Sequence, residues 1–152
     1  MSEIIKEYDE RGNLVYYKDS DGTEVWQEFD ENNNEIHSKN SFGFEIWTGY
    51  NERRNLIHYK TSNGDEYWNE FDENNNKIHY KNSFNEFEYW KEYDENNNCI
   101  NYKNSDGYEE WYKWKNDEQI EITQKEFEQI KRRKNRRLIN NSKISRFELM
   151  DI

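Results

Sequence analysis

Three histidines, His37, His58 and His79, recur at one position in successive units of about 21 residues, a pattern from which a metal cluster could be built. Zinc needs its ligands to converge at about 2 Å. Equivalent positions in a hairpin repeat lie two strands apart, about 9–10 Å, and the strands between offer Thr48 and Asn69. The histidines therefore read as an exposed ladder, replaced by Tyr16 and Asn101 in the flanking units, and neither metal nor cofactor is expected. The D-E-N-N-N segments at Asp30, Asp72 and Asp94 begin like a calcium loop. They lack its sixth-position glycine (Glu35, Lys77 and Cys99 stand there) and its closing glutamate, so hairpin turns explain them better. Cys99 is the single cysteine and sits at a repeat position, carboxylates recur without any pair set apart, and no phosphate-binding glycine loop is present. The chain reads as non-enzymatic.

Two features could carry binding. The run Lys131, Arg132, Arg133, Lys134, Arg136 and Arg137 breaks the repeat and suits nucleic acid or an acidic protein patch, or a strap held against the chain's own acidic residues. The tryptophans Trp26, Trp47, Trp68, Trp90 and Trp111 could stack bases or sugars, but their strict recurrence favours an architectural ladder.

The elements that position these residues follow from the period. Each unit holds two short runs rich in aromatic and β-branched residues separated by turn chemistry, which predicts a β-hairpin per unit. The expected fold is all-β: an antiparallel meander of about six hairpin repeats, as a curled sheet or barrel, over residues 1–123. A basic C-terminal region, residues 124–152, follows, with a helix from about residue 124 to 138 and a loose tail. Thr123 and Glu126 form its capping box.

Asx-Gly pairs between units, such as Asp21-Gly22, suggest two-residue type I′ turns. The Asp30 to Asn34 type of segment suggests a three-residue loop closing on a left-handed Gly12, Asn33, Asn75 or Asn97, a place Arg54 fits poorly. The resulting register puts Tyr17 opposite Trp26 and Trp26 opposite Ser38, giving a Trp–Tyr ladder on a core face with Ile36, Ile57, Ile78 and Ile100. The extra residue near Asn85 is expected to lengthen one turn. The opposite face would then carry Lys39, Lys60 and Lys81, His37, His58 and His79, and Tyr50, Phe71 and Tyr93, as a partner-binding surface. An aromatic face of this length would roll up, dimerise or receive a partner.

Residues 124–152 carry nine Lys/Arg against four Asp/Glu; since the chain is -11, the remaining 123 residues carry -16. An acidic body with a basic tail points to electrostatic partners. No run of the sequence is apolar enough to cross a membrane, no secretory signal is evident, and one cysteine fits a reducing compartment, so the expected location is cytoplasmic, bacterial or host.

The recurring EYDERGNL, EFDENNNEI and EYDENNNCI segments, with W-x-E-[FY]-D recurring at Trp26, Trp68 and Trp90, resemble the tyrosine–aspartate (YD, or RHS-type) repeats of bacteria across residues 4–115. Only Tyr8 to Asn13 gives the complete Tyr-Asp-x-x-Gly-Asn motif. The resemblance implies hairpin units forming a β-sheet strip or shell. Large members enclose toxins, for which this chain is too short. There is a looser similarity to small repeat antitoxins, and the aromatic hairpins resemble choline- and glucan-binding modules. The expected function is a protein-binding inhibitor, of antitoxin, immunity or phage anti-CRISPR type, acting on a nuclease, toxin or ribonucleoprotein. The -16 body would compete for a basic nucleic-acid groove. Carbohydrate binding by the aromatic stripe, nucleic-acid binding by the tail, and homodimerisation through the aromatic face are the alternatives.

Overall fold

In the computed structural model the described residues are 3–148, with side chains described as far as Arg136. Twelve antiparallel strands follow one another in chain order as a meander, with β1 and β12 as its free ends. They are β1 (Ile5–Tyr8), β2 (Leu14–Lys18), β3 (Glu24–Phe29), β4 (Glu35–Asn40), β5 (Glu45–Tyr50), β6 (Leu56–Thr61), β7 (Glu66–Phe71), β8 (Lys77–Asn82), β9 (Glu88–Tyr93), β10 (Cys99–Asn104), β11 (Glu109–Lys115) and β12 (Glu118–Ile122); α1 (Gln124–Glu148) completes the fold. Two compact units divide the chain, Met1–Trp90 and Lys91–Ile152. The helix belongs to the second, so the break in the repeat at residue 124 is not the boundary between units.

Most turns in the repeat share one plan. At the inter-unit turn, Asp19 N donates to Thr23 O (3.0 Å) and Gly22 N to Asp19 O (3.3 Å), which leaves a three-residue loop, 20–22, with only Gly22 at positive φ. The expected type I′ turn is wrong here. Its register would have opposed Asp19 and Glu24, two like charges, whereas the observed one sets Lys18 against Glu24. The side chain that opens the turn decides its form: Asp19 Oδ1 accepts from Asp21 N (3.1 Å) and Thr23 N (2.9 Å). Asn40 does the same for Phe42 and Phe44, and Asn104 for Asp106 and Tyr108. A type I′ turn does occur at Asn116 and Asp117, where both residues have positive φ and Lys115 pairs with Glu118.

The intra-unit turns match expectation: Asp30 N donates to Asn34 O (3.0 Å) and Asn33 is left-handed at φ 62°. The extra residue near Asn85 is absorbed as expected, with Asn82 N reaching Phe87 O across a longer loop. Arg54 is also left-handed, at φ 63°. A branched or long side chain there costs about 1–2 kcal/mol. Arg54→Gly is therefore expected to raise stability by about 1 kcal/mol and Arg54→Val to lower it, read as shifts in urea midpoint at unchanged slope.

A bulge follows each complete intra-unit turn of the first unit. Phe29 faces Glu35 but Glu28 faces His37, so Ile36 is the extra residue; Tyr50/Leu56 and Phe71/Lys77 behave alike. The extra residue, with the longer inter-unit loops, moves the register by one and exchanges the faces. Trp26 lies opposite Tyr16 and Lys39, Trp47 opposite His37 and Lys60, and Trp68 opposite His58 and Lys81. The Trp–Tyr ladder is thus corrected. Tryptophans share their face with His and Lys, and the tyrosines ladder on the other face, with Tyr59–Tyr67 stacked at 4.8 Å and Tyr80–Tyr89 at 5.3 Å. In the second unit Trp111 lies opposite Asn101 on one side and Ile122 on the other.

Neither face is a core. Among the described residues the buried apolar side chains are Ile122 and Phe127, with Thr61, Asn69 and Asn101 the buried polar ones. Stability in a single layer rests on cross-strand pairs, each worth about 0.2–1 kcal/mol, and on the turn networks. Beside two of the bulges the next strand supplies a side-chain donor to a backbone carbonyl: Thr48 Oγ1 donates to Glu35 O, and Asn69 Nδ2 to Leu56 O at 2.8 Å. In the second unit Trp114 Nε1 donates to Cys99 O at 2.9 Å.

The helix opens on the expected capping box, with Thr123 N donating to Glu126 Oε2 (3.0 Å) and Glu126 N to Thr123 Oγ1 (3.3 Å). It runs to Glu148 rather than ending near residue 138, because no glycine or proline interrupts residues 124–148.

Candidate functional site

The tryptophan face of the first unit repeats a four-residue group. His37 stacks on Trp47 with ring centres 5.3 Å apart, His58 on Trp68 at 5.4 Å and His79 on Trp90 at 5.2 Å. A glutamate at each strand start holds the histidine in place: His37 Nε2 lies 3.0 Å from Glu45, His58 Nε2 2.8 Å from Glu66 and His79 Nε2 2.8 Å from Glu88. Lysines reach two of these same carboxylates, Lys39 to Glu45 at 3.0 Å and Lys60 to Glu66 at 3.6 Å. The Lys39 ammonium, aided by His37, holds Glu45 below the ordinary carboxylate range, and His58 does so for Glu66.

This arrangement brings together His37, His58, His79, Lys39, Lys60 and Lys81 with the tryptophans, as cross-strand neighbours. It separates them from Tyr50 and Phe71 of the first unit, which alternate onto the opposite face; there Lys77 Nζ sits 5.8 Å from the Phe71 ring centre. The face expected to collect all of these residues therefore divides. Tyr93, in the part of β9 that belongs to the second unit, is half-buried. The histidines face separate carboxylates, and no group of three or more potential metal ligands converges among the described residues. Each His ring covers one indole surface, which removes a stacking surface that a planar sugar or base would use.

The acidic groups concentrate at the intra-unit turns. Asp30 accepts from Asn32 N (2.8 Å), Asn34 N (2.9 Å) and Asn34 Nδ2 (2.8 Å), and Asp9 and Asp72 repeat the pattern. The Asn13 and Asn34 side-chain amides hold Asp9 and Asp30 below the usual carboxylate range. At Asp72 and Asp94 partial burial works the other way, and the donors from Asn76 and Asn98 outweigh it. These carboxylates are ionised, fixed in direction, and flanked by exposed Glu10, Glu31 and Glu73 in the first unit.

Because these folded-state values lie below the unfolded ones, the stability they contribute is complete above the unfolded value near 4 and is lost as pH falls through the folded values. The urea midpoint is expected to hold from pH 7 to about 5 and to drop below about 4. Asp30→Asn with Asp72→Asn should flatten that acid limb. Asn51 already fills the same role, accepting from Arg53 N and Asn55 N at 3.0 Å. An unchanged limb in the double variant would refute the assignment.

In the second unit the basic run divides by helix face. Phe127 is buried, and with Ile130 it lines a hollow shared with Ile100, Tyr112 and Trp114. Lys131 Nζ reaches Glu92 at 2.7 Å, and Lys134 pairs with Glu95. At 100° per residue, Arg132, Arg133 and Arg136 lie on the far side, exposed. Arg137 of the predicted set lies outside the residues whose side chains are described. Cys99, which donates to Asn101 O at 3.4 Å, has its thiol pushed up by burial, the reverse of an activated nucleophile. The sequence reading missed the pairing of Glu92 and Glu95 with the helix, although Glu-x-x-Glu recurs at Glu7/Glu10, Glu28/Glu31 and Glu70/Glu73.

No helix among the described residues is long and apolar enough to cross a membrane. No protein-family model matches the chain, and no curated protein does. Among solved structures, a chain of the TcdB2-TccC3-Cdc42 complex aligns over 73% of this chain with a TM-score of 0.56 and 17% identity. A chain of TcdB2-TccC3 aligns over 73% with a TM-score of 0.55 and 16% identity. The matched region is 6% of either neighbour's length. At that identity the likeness is one of fold: the chain has a β-hairpin repeat fold similar to part of these toxin-complex chains, in keeping with the YD-repeat resemblance of residues 4–115.

Proposed function

We propose that this chain is a non-catalytic, protein-binding repeat protein. Its acidic turns take up a Lys/Arg-bearing surface of an intracellular nucleic-acid-handling partner (a nuclease, toxin or ribonucleoprotein) and inhibit it by occupying the groove. One observation carries the reading. In the second unit the pair Glu92 and Glu95 already holds a basic element, through Lys131 and Lys134 spaced three residues apart on a helix. In the first unit the equivalent pairs Glu28/Glu31 and Glu70/Glu73 hold no Lys or Arg in any described ion pair and are exposed to solvent; Glu28 and Glu70, 70% and 65% exposed, each also lie near a histidine, His37 Nδ1 at 3.4 Å and His79 Nδ1 at 3.2 Å. The chain's own helix supplies the pattern of what such a patch accepts.

One exposed ion pair is worth about 0–1 kcal/mol, so a single patch would not hold a partner. Several rigid patches of one sign add up, and they steer a basic surface into place before contact. The test is capture from a nuclease-treated bacterial lysate on the immobilised full-length chain, followed by mass spectrometry. Proteins with basic nucleic-acid-binding surfaces are expected, released by 500 mM salt or by added DNA. Recovery of a salt-resistant set without such proteins would contradict the reading.

A further inference from the structure

The helix sorts its cations. Within the basic run, those turned toward the acidic turns are lysines, and both are paired; those turned away are Arg132, Arg133 and Arg136, all exposed, with Glu128 and Lys125 one and two turns earlier on the side that carries Arg132. The sorting goes beyond the protein-binding reading above and does not depend on it. A strap needs only the inward cations. Three guanidinium groups fall on the outward side of a five-residue segment that rises about 6 Å, away from the contacts that dock the helix.

We infer that this arginine face is a binding site for the phosphodiester backbone of a nucleic acid. The chemistry favours phosphate. Guanidinium is a planar fork that binds phosphate oxygens in pairs and is weakly hydrated, whereas the two positions of this helix that meet carboxylates are filled by lysine. Charge allows it as well. The excess of acid lies in the first unit; residues 91–152 hold equal numbers of acidic and basic side chains, and within them residues 124–152 are net +5. At physiological salt the Debye length is about 8 Å, so a strand on the outer face of the helix meets chiefly the arginines. Contacts of this kind read no base sequence, so binding is expected to be indifferent to sequence.

The test uses the full chain and fluorescence anisotropy with labelled 20-nucleotide single strands, RNA and DNA, between 50 and 200 mM salt. The comparison is with Arg132→Gln/Arg133→Gln/Arg136→Gln, with Lys6→Gln/Arg53→Gln/Lys115→Gln, three exposed cations outside the candidate sites, as the charge-matched control. The wild-type slope of log affinity against log salt should exceed that of the arginine variant by about 2, so affinity should fall about twentyfold more across that range. The control should keep the wild-type slope. Equal binding of a 20-residue polyglutamate would assign the face to acidic proteins, and binding to anionic vesicles without binding to either strand would assign it to membranes. Either result, or strand binding that survives the arginine variant with an unchanged circular dichroism spectrum, would overturn the inference.

Discussion

Truncating Phe127 to alanine should release the helix from the second unit and cost about 3 kcal/mol, near the low end for a buried aromatic because the site is shallow. The expectation follows from how little apolar side chain this fold buries. Phe127 is 4% exposed, and Ile122 is the other buried apolar side chain among the described residues. The neighbouring ion pairs, Lys131 with Glu92 and Lys134 with Glu95, are exposed and cannot hold the helix alone. Ile130, at 41% exposure, gives the contrast: Ile130→Ala should cost less than half as much. Urea unfolding followed by far-ultraviolet circular dichroism checks both, and equal losses would mean that the helix is docked by charge.

Replacing Asn69 with alanine should cost about 2 kcal/mol, out of proportion to the few atoms removed. Asn69 is 5% exposed and its amide donates to Leu56 O, beside the bulge between β5 and β6, so alanine removes a hydrogen bond made from a buried position. Thr48 fills the same place one repeat earlier, with its hydroxyl donating to Glu35 O. Asn69→Thr should therefore recover most of the loss. If Asn69→Thr were as damaging as alanine in the same urea titration, the contribution would lie in packing and not in the hydrogen bond.

The bulge is also where the sequence becomes hard to read. The period, the strands, the left-handed Asn33 and the capping box at Thr123 follow from residue types at fixed places, because turn and cap chemistry is local; Arg54 is left-handed by its place in the repeat, against its residue type. The faces do not follow in this way. Nothing local marks Ile36 as an extra residue, and a shift of one reverses every side chain in a strand. Two signals could have corrected the register. Asx opens nearly every turn at intervals of ten to twelve residues (Asp9, Asp19, Asp30, Asn40, Asn51, Asp72, Asn82, Asp94, Asn104), which points to one turn class rather than two. And only the observed register opposes Lys18 to Glu24, Lys39 to Glu45, Lys60 to Glu66 and Lys81 to Glu88.

That correction reshapes the candidate site. The tryptophans do not hide in a core beside isoleucine; Trp26, Trp47 and Trp90 stay more than a third exposed, in a row with the His, Glu and Lys side chains. The basic run, legible as a block of charge, divides only once the helix has a neighbour, since sequence alone does not show which cations turn inward.

Competition for a basic groove is the central claim, and displacement of nucleic acid from a captured partner tests it most directly. Labelled nucleic acid is bound to that partner, and the chain is titrated in with Arg132, Arg133 and Arg136 replaced by glutamine, so that it cannot hold the label itself. The account predicts release of the label at a stoichiometric amount of chain, with at least about tenfold more needed when Glu28, Glu31, Glu70 and Glu73 are also glutamine. A chain that joins the complex while the nucleic acid stays bound, or a glutamine variant that displaces it equally well, would contradict the account.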